Sequence, residues 1–169
     1  MLIWITGISG TGKTTLAKKL YERLKPRQPN LVCLDGDEFR KAMGDDAGYT
    51  LEERDKNAVR LTGLCRLLCG QGLHVICGAN LTSQRFRDWC RRHIPGYFEV
   101  YLDVPLEVLV NRDKKFLYAE ALAGRKTQVV GVDIPQERPR NPDLVIDNSA
   151  ERGSFDDILD RIMNAAGLC

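Results

Sequence analysis

Gly7-Ile8-Ser9-Gly10-Thr11-Gly12-Lys13-Thr14 is a complete G-x-x-x-x-G-K-[ST], set between an apolar run, Leu2 to Ile5, and a segment of helical period that starts at Leu16. Residues of these types in this order suit a polyphosphate. Glycines let backbone N–H groups curl round the anion, and the following helix presents its positive end. Lys13 can bridge the outer phosphates, and Thr14 can offer an oxygen to Mg²⁺. Gly7, Ser9, Gly10, Thr11, Gly12, Lys13, Thr14 and Thr15 are therefore read as the nucleotide-binding set.

Three apolar runs end in aspartate: Leu34-Asp35, Leu102-Asp103 and Ile146-Asp147. In an open α/β sheet such ends share one edge with the phosphate loop, so each could face a metal or a reacting hydroxyl, or simply serve a turn. Asp35 is set apart by Asp35-Gly36-Asp37-Glu38-Phe39-Arg40, where two carboxylates flank a glycine and an arginine follows. That grouping suits Mg²⁺ binding or proton acceptance beside a second anion. Arg54, Asn57 and Arg60 recur at one helical turn, giving one face of cation, amide and cation that could clamp a nucleotide phosphate or be a solvated face. Arg112-Asp113-Lys114-Lys115 opens a basic stretch, and phosphoryl transfer has a use for cations that close over the moving group. His74 and His93 read as a strand histidine and a surface one, and Cys90-x-x-His93 lacks partners for a metal site.

The elements that must position these residues follow from hydrophobic period. Leu2 to Ile5, Leu31 to Leu34, Leu73 to Cys77, Phe98 to Leu102 and Leu144 to Ile146 read as buried strands. Between them lie helical patterns: Leu16, Leu20, Leu24; Leu61, Leu64, Cys65, Leu68; and Phe155, Ile158, Leu159, Ile162, Met163, Ala166. Thr50-Leu51-Glu52-Glu53 fits a capping box, and Ser154 with Asp157 suggests a second helix start. Alternation of this kind predicts an α/β fold, one open parallel sheet of about five strands with helices on both faces. Lys114 to Arg140 departs from the pattern. It carries six basic residues and no strand-like run longer than Gln128-Val129-Val130, and reads as a mobile excursion over one edge.

With 169 residues the chain is expected to form one domain. A net charge of +2 gives no general attraction to nucleic acid or membrane, so neither is expected as a partner and anion recognition must be local. The longest stretch without a charge, Leu67 to Gln84, contains Gln71, His74, Asn80, Thr82, Ser83 and three glycines, so it is no membrane span. The N-terminus shows no basic n-region, and six cysteines occur without a C-x-x-C pair, so reduced thiols in a cytoplasmic protein are expected.

The residues also match a family. The phosphate loop, Leu34-Asp35-Gly36-Asp37-x-x-Arg40, Tyr49-Thr50-x-x-Glu53-Arg54-x-x-Asn57-x-x-Arg60, Arg112-Asp113-x-Lys115-x-Leu117-Tyr118-x-x-Ala121-x-x-Gly124 and Gly131-Val132-Asp133-x-Pro135 resemble the adenylyl-sulfate kinases in order and spacing, over roughly residues 2 to 148. The resemblance implies a three-layer P-loop kinase fold, ATP and Mg²⁺, and γ-phosphoryl transfer to the 3′-hydroxyl of adenylyl sulfate to give PAPS. It implies that Asp37 meets the reacting hydroxyl, that Arg40, Arg54 and Asn57 hold the acceptor, that residues 112–139 form a lid, and that a homodimer is possible. Asp35 is placed with the acceptor set as well as with Thr14 at the metal, while Lys13, Asp37, Lys115 and Arg112 form the expected catalytic set.

The sequence departs from the family where substrate choice is made. The family holds the adenine between two phenylalanines, and the matching positions here are Tyr49 and Val129. Asn80-Leu81-Thr82 replaces an Ile-Ser-Pro segment, Phe116 stands where a lid glycine is usual, Gln136 where a tyrosine is usual, and Glu53 replaces an aspartate. This altered acceptor half is similar to a branch of kinases from surface-sugar gene clusters that phosphorylate cytidine diphosphoramidate, whose smaller base needs less aromatic sandwiching. A nucleotide switch acting on a protein partner is the reading from another class. Asn111-Arg112-Asp113-Lys114 has the letters of the guanine-binding Asn-Lys-x-Asp run in the wrong order.

Overall fold

The structure is a computed structural model that describes residues 1–113, 116–150 and 155–168. Five strands, β1 (Leu2–Thr6), β2 (Leu31–Asp35), β3 (His74–Gly78), β4 (Tyr97–Asp103) and β5 (Leu144–Asp147), form one parallel sheet in the order β2-β3-β1-β4-β5. The apolar runs anticipate all five. β1 is buried at every position, as a central parallel strand with helices on both faces must be.

Helix α1 (Lys13–Leu24) packs Leu16, Ala17, Leu20 and Leu24 on one face of the sheet. The C-terminal helix, whose Ile158, Leu159, Ile162 and Met163 join that cluster, completes the layer. On the other face, α2 (Gly36–Ala42) contributes Phe39, α3 (Leu51–Gly70) contributes Ala58, Leu61 and Cys65, and α4 (Gln84–His93) contributes Phe86 and Cys90. Of these, α2 and α4 are too short and too charged for apolar period to reveal. The Thr50–Glu53 capping box is present, with the Thr50 hydroxyl accepting from the Glu53 N–H and the Glu53 carboxylate accepting from the Thr50 N–H.

The stretch read as an excursion instead holds a short helix, α6 (Leu117–Leu122), and a bridge between Val130 and Ile134, and another short helix, α5 (Leu106–Asn111), leads into it. Leu109, Tyr118, Ala121, Val129, Val130 and Ile134 bury against Ile8 and Val104 to give it a small core of its own. The final helix, α7 (Asp156–Ala165), has Phe155 at its N-cap position, and Ser154 lies outside the described residues. Cys65, Cys77 and Cys90 are buried free thiols, as expected, while Cys33 and Cys69 are half-buried and Cys169 lies outside the described residues. No helix among the described residues is long and apolar enough to cross a membrane.

Beneath the loop that follows β3, α4 and β4 share a buried ion pair: Arg87 Nε lies 3.1 Å from Glu99 Oε1, with both side chains 2% exposed. The same guanidinium donates to the Leu81 carbonyl, tying that loop to the sheet. Burial pushes the Glu99 carboxyl up, and Arg87 and Arg91 pull it back. Removing one partner leaves a buried charge uncompensated. Glu99→Leu is expected to cost about 3–5 kcal/mol in urea unfolding, and Arg87→Met added to it should recover most of that loss.

Candidate active site

The carboxyl ends of the strands place Thr6, Asp35, Gly78, Asp103 and Asp147 along one edge, with the loop 7–12 leaving the central strand between them. This is the point where strand order reverses on either side of β1, the position at which open α/β sheets form their ligand crevices. Gly12 caps α1 at φ 99°, no side chain bonds to the first turn, and that turn holds no acidic residue. The positive end of the helix is thus left facing the crevice. Ser9 and Gly10 are exposed on the loop, Thr11 is buried beneath it, and Thr14 and Thr15 are exposed on the first turn of α1.

Lys13 Nζ donates to the Ile8 carbonyl at 2.7 Å, folded across the loop it serves. Burial lowers its pKa to about 8, opposed by the nearby carboxylates of Asp37 and Asp35. The Thr14 hydroxyl donates to Asp35 Oδ2 at 2.6 Å. The other oxygen of Asp35 accepts from the N–H groups of Asp37 and Glu38 at 2.9 and 3.1 Å, capping α2. One carboxylate therefore fixes the start of α2 and leaves its second oxygen beside a hydroxyl. That pair of hard oxygens fits Mg²⁺, which keeps several waters and takes the remainder of its shell from phosphate. No cluster of three His, Cys, Asp or Glu suited to a metal occurs among the described residues, so no all-protein cage competes with this pair.

The acceptor side is built on α2 and α3. Asp37 is exposed in the first turn of α2, and Arg40, one turn on, is buried. Arg40 Nη1 donates to the Ala47 and Gly48 carbonyls, while its buried Nε has no partner among the described residues. Its guanidinium carbon lies 4.7 Å from the centre of the Tyr49 ring, and that of Arg54 lies 5.3 Å from it. Tyr49 is 52% exposed, so an aromatic surface with two cations against it opens to solvent. Arg54 donates from Nε to the Tyr49 carbonyl at 2.8 Å and from Nη2 to the Gln128 carbonyl at 2.7 Å, spanning the cleft between α3 and residues 128–129. Asn57 is buried one turn further along α3.

Arg60, Val129 and Arg112 each have a definite place. Arg60 does not continue the cation, amide, cation face: its guanidinium is held by both oxygens of Asp46 at 2.6 and 2.9 Å. Val129, at the position of the second aromatic, is 4% exposed and belongs to the core of the 106–134 segment, so Tyr49 is the aromatic surface presented. Arg112 donates to the carbonyls of Asn148 and Ser149, which places its charge on the backbone after β5. Lys115 lies outside the described residues. Other departures have plain local roles. Phe116 takes the left-handed φ of 54° at the start of α6, Gln136 donates to the Tyr101 hydroxyl at 3.0 Å, and Glu53 completes the capping box.

A nest of loop amides with a lysine, a hydroxyl–carboxylate pair for Mg²⁺ and a second, cation-rich cleft across a parallel sheet are the working parts of a P-loop kinase, a phosphotransferase with an alcohol as acceptor. The chain belongs to the adenylylsulphate kinase family, whose model matches residues 1–147. It is 36% identical over 167 residues to the cytidine diphosphoramidate kinase of Campylobacter jejuni, covering 99% of this chain and 96% of that one. It is 37% identical over 167 residues to the adenylyl-sulfate kinase of Deinococcus deserti, covering 99% and 91%. Among solved structures, the Mycobacterium tuberculosis APS kinase in complex with AMPPNP and APS superposes with a TM-score of 0.87 at 32% identity, covering 98% of this chain and 96% of that chain. ATP is the phosphate donor of the family and Mg²⁺ its metal.

The lowered pKa of Lys13 makes donor binding pH-dependent. Phosphate favours the ammonium, so binding raises the pKa from about 8 and draws in a proton wherever the free loop is partly neutral. MgADP affinity is expected to fall as pH rises through about 8. Calorimetry at pH 8.5 in buffers of differing ionisation enthalpy should show net proton uptake that is absent in Lys13→Ala.

Proposed function

We propose that the protein transfers the γ-phosphoryl group of ATP to the 3′-hydroxyl of adenylyl sulfate, giving PAPS and ADP. The observation that carries this reading is the Tyr49 ring with the guanidinium groups of Arg40 and Arg54 at 4.7 and 5.3 Å. It offers a planar base a stacking surface and an acidic phosphosulfate two cations, on the side of the sheet where Asp37 stands. Lys13 and the amides of Gly7 to Gly12 hold the donor phosphates. Thr14 and Asp35 would hold Mg²⁺, which when bound would supply positive charge beside the transferring group. Asp37 accepts the acceptor proton as the new O–P bond forms and the bond to the β-phosphate oxygen breaks. Arg40, Tyr49, Arg54 and Asn57 hold the acceptor, and Lys115 meets the transferring group as residues 112–139 close over it. On this reading residues 1–169 act as one domain, paired as a homodimer, in the cytoplasm where ATP is supplied.

A second acceptor, cytidine diphosphoramidate, is favoured by one observation: with Val129 buried, a single aromatic face is on offer, which suits a pyrimidine better than a sandwiched purine. The test offers each acceptor separately with ATP. A kcat/KM a hundredfold higher for adenylyl sulfate supports the main reading, and the reverse preference transfers the protein to the second. With the preferred acceptor, Tyr49→Leu is expected to raise acceptor KM about tenfold with ATP KM unchanged, since stacking on one base contributes about 1–3 kcal/mol. A change confined to ATP KM would overturn the placement of Tyr49.

A further inference from the structure

Three carbonyls of the phosphate loop are each held by a side-chain donor. The Ile8 carbonyl accepts from Thr11 Oγ1 at 2.9 Å and from Lys13 Nζ at 2.7 Å. The Ser9 carbonyl accepts from the Tyr118 hydroxyl at 2.7 Å, and the Thr11 carbonyl from Asn148 Nδ2 at 2.9 Å. In a trans peptide the carbonyl of one residue and the N–H of the next point opposite ways. Holding the Ser9 and Thr11 carbonyls therefore turns the N–H groups of Gly10 and Gly12 the other way, as a phosphate nest requires.

Two of these donors come from outside the loop, and both are fixed by one dipeptide. Arg112 holds the backbone of Asn148 and Ser149 through their carbonyls, and the Asn148 N–H also donates to the Asp103 carbonyl at 3.4 Å. The Asp113 carboxylate accepts from the N–H groups of Leu117, Tyr118 and Ala119 at 2.9, 2.6 and 3.1 Å, fixing the first turn of α6. Tyr118 is 1% exposed and Asn148 7%, so both donors reach the loop from its buried side, and the Asn148 bond to Thr11 is itself buried. The fit is close enough that a Cβ on Gly12 would lie 2.9 Å from Asn148 Nδ2.

We propose that Asn148 and Tyr118 are positioning residues for the donor phosphates, and that Arg112 acts through Asn148 rather than on the transferring group. The root of the 112–139 segment and the loop then form one unit: whatever shifts the Arg112-Asp113 peptide shifts the nest. This assignment concerns the ATP side and stands whichever acceptor is used.

The test is a double-mutant cycle read by MgADP titration, with Tyr118→Phe as a separate arm because it removes one oxygen and keeps the ring. Tyr118→Phe and Asn148→Ala are each expected to raise the MgADP Kd about fivefold or more, the effect of losing one net hydrogen bond. Arg112→Lys keeps the charge but loses the two-pronged geometry. It should weaken MgADP to a similar degree as Asn148→Ala, and Arg112→Lys/Asn148→Ala should be no weaker than Asn148→Ala alone. Acceptor KM at saturating ATP should stay within twofold in all four variants, which general loosening of the fold would not produce. MgADP affinity within twofold of the parent in both Tyr118→Phe and Asn148→Ala overturns the proposal. So do additive losses in the Arg112 and Asn148 pair, which would mean that Arg112 acts on the phosphates by its own charge.

Discussion

The structure depends on one constraint: a run of backbone N–H groups must converge on an anion with no side chain in the way. At Gly7, at φ 149°, a Cβ would lie 2.7 Å from Thr11 Oγ1 and 2.9 Å from the Leu102 carbonyl, so the loop begins in contact with the neighbouring strand. Gly10 and Gly12 carry φ of 79° and 99°, which side chains strain to adopt. A loop with so little side chain of its own cannot hold its shape by packing. It is held instead by the strand before it, the helix after it, and donors from Thr11, Lys13, Tyr118 and Asn148 to its carbonyls.

The same economy of parts appears at Asp35. One oxygen caps α2 and thereby sets the position of Asp37 and Arg40 on the acceptor side. The other meets Thr14 on the donor side. The two halves of the reaction are joined through a single carboxylate 8% exposed, so their relative placement does not rely on a mobile side chain. Arg54 does comparable service across the cleft, where it links the Tyr49 and Gln128 carbonyls and sets the width available to a base.

What was legible in the sequence follows from which interactions are local. The strands are short, mostly apolar and bounded by turn residues, so β1 to β5 could be read within a residue or two. The phosphate loop is a contiguous motif, and Thr50 with Glu53 is a contiguous cap. The excursion was misread as bare loop because its core is assembled from residues far apart, Ile8 and Val104 with Tyr118, Val129 and Ile134. Arg60 stayed open between a clamp and a solvated face because helical period shows which residues share a face but not that Asp46, in a preceding loop, occupies one of them. Asn148 was passed over for a similar reason. The one signal that could have found it was its place directly after a strand-end aspartate, on the edge shared with the phosphate loop.

The two halves of the site are built from different materials, and this explains why the donor half keeps its family pattern while the acceptor half departs from it. The donor half is made of backbone groups whose geometry tolerates almost no substitution: a Cβ or a lost carbonyl partner alters the nest itself. The acceptor half is made of side chains on α2, α3 and the 128–129 segment. There the scaffold is the Thr50–Glu53 cap, the Arg54 span and the turn in which Asp133 accepts from the N–H groups of Gln128 and Val129. Replacing an aromatic by Val129 leaves that scaffold intact, because the smaller side chain turns into an existing apolar core and the backbone around it stays bonded. A kinase of this construction can therefore change its acceptor by altering one surface of the cleft, while the chemistry of phosphoryl transfer remains under the control of a loop that cannot change.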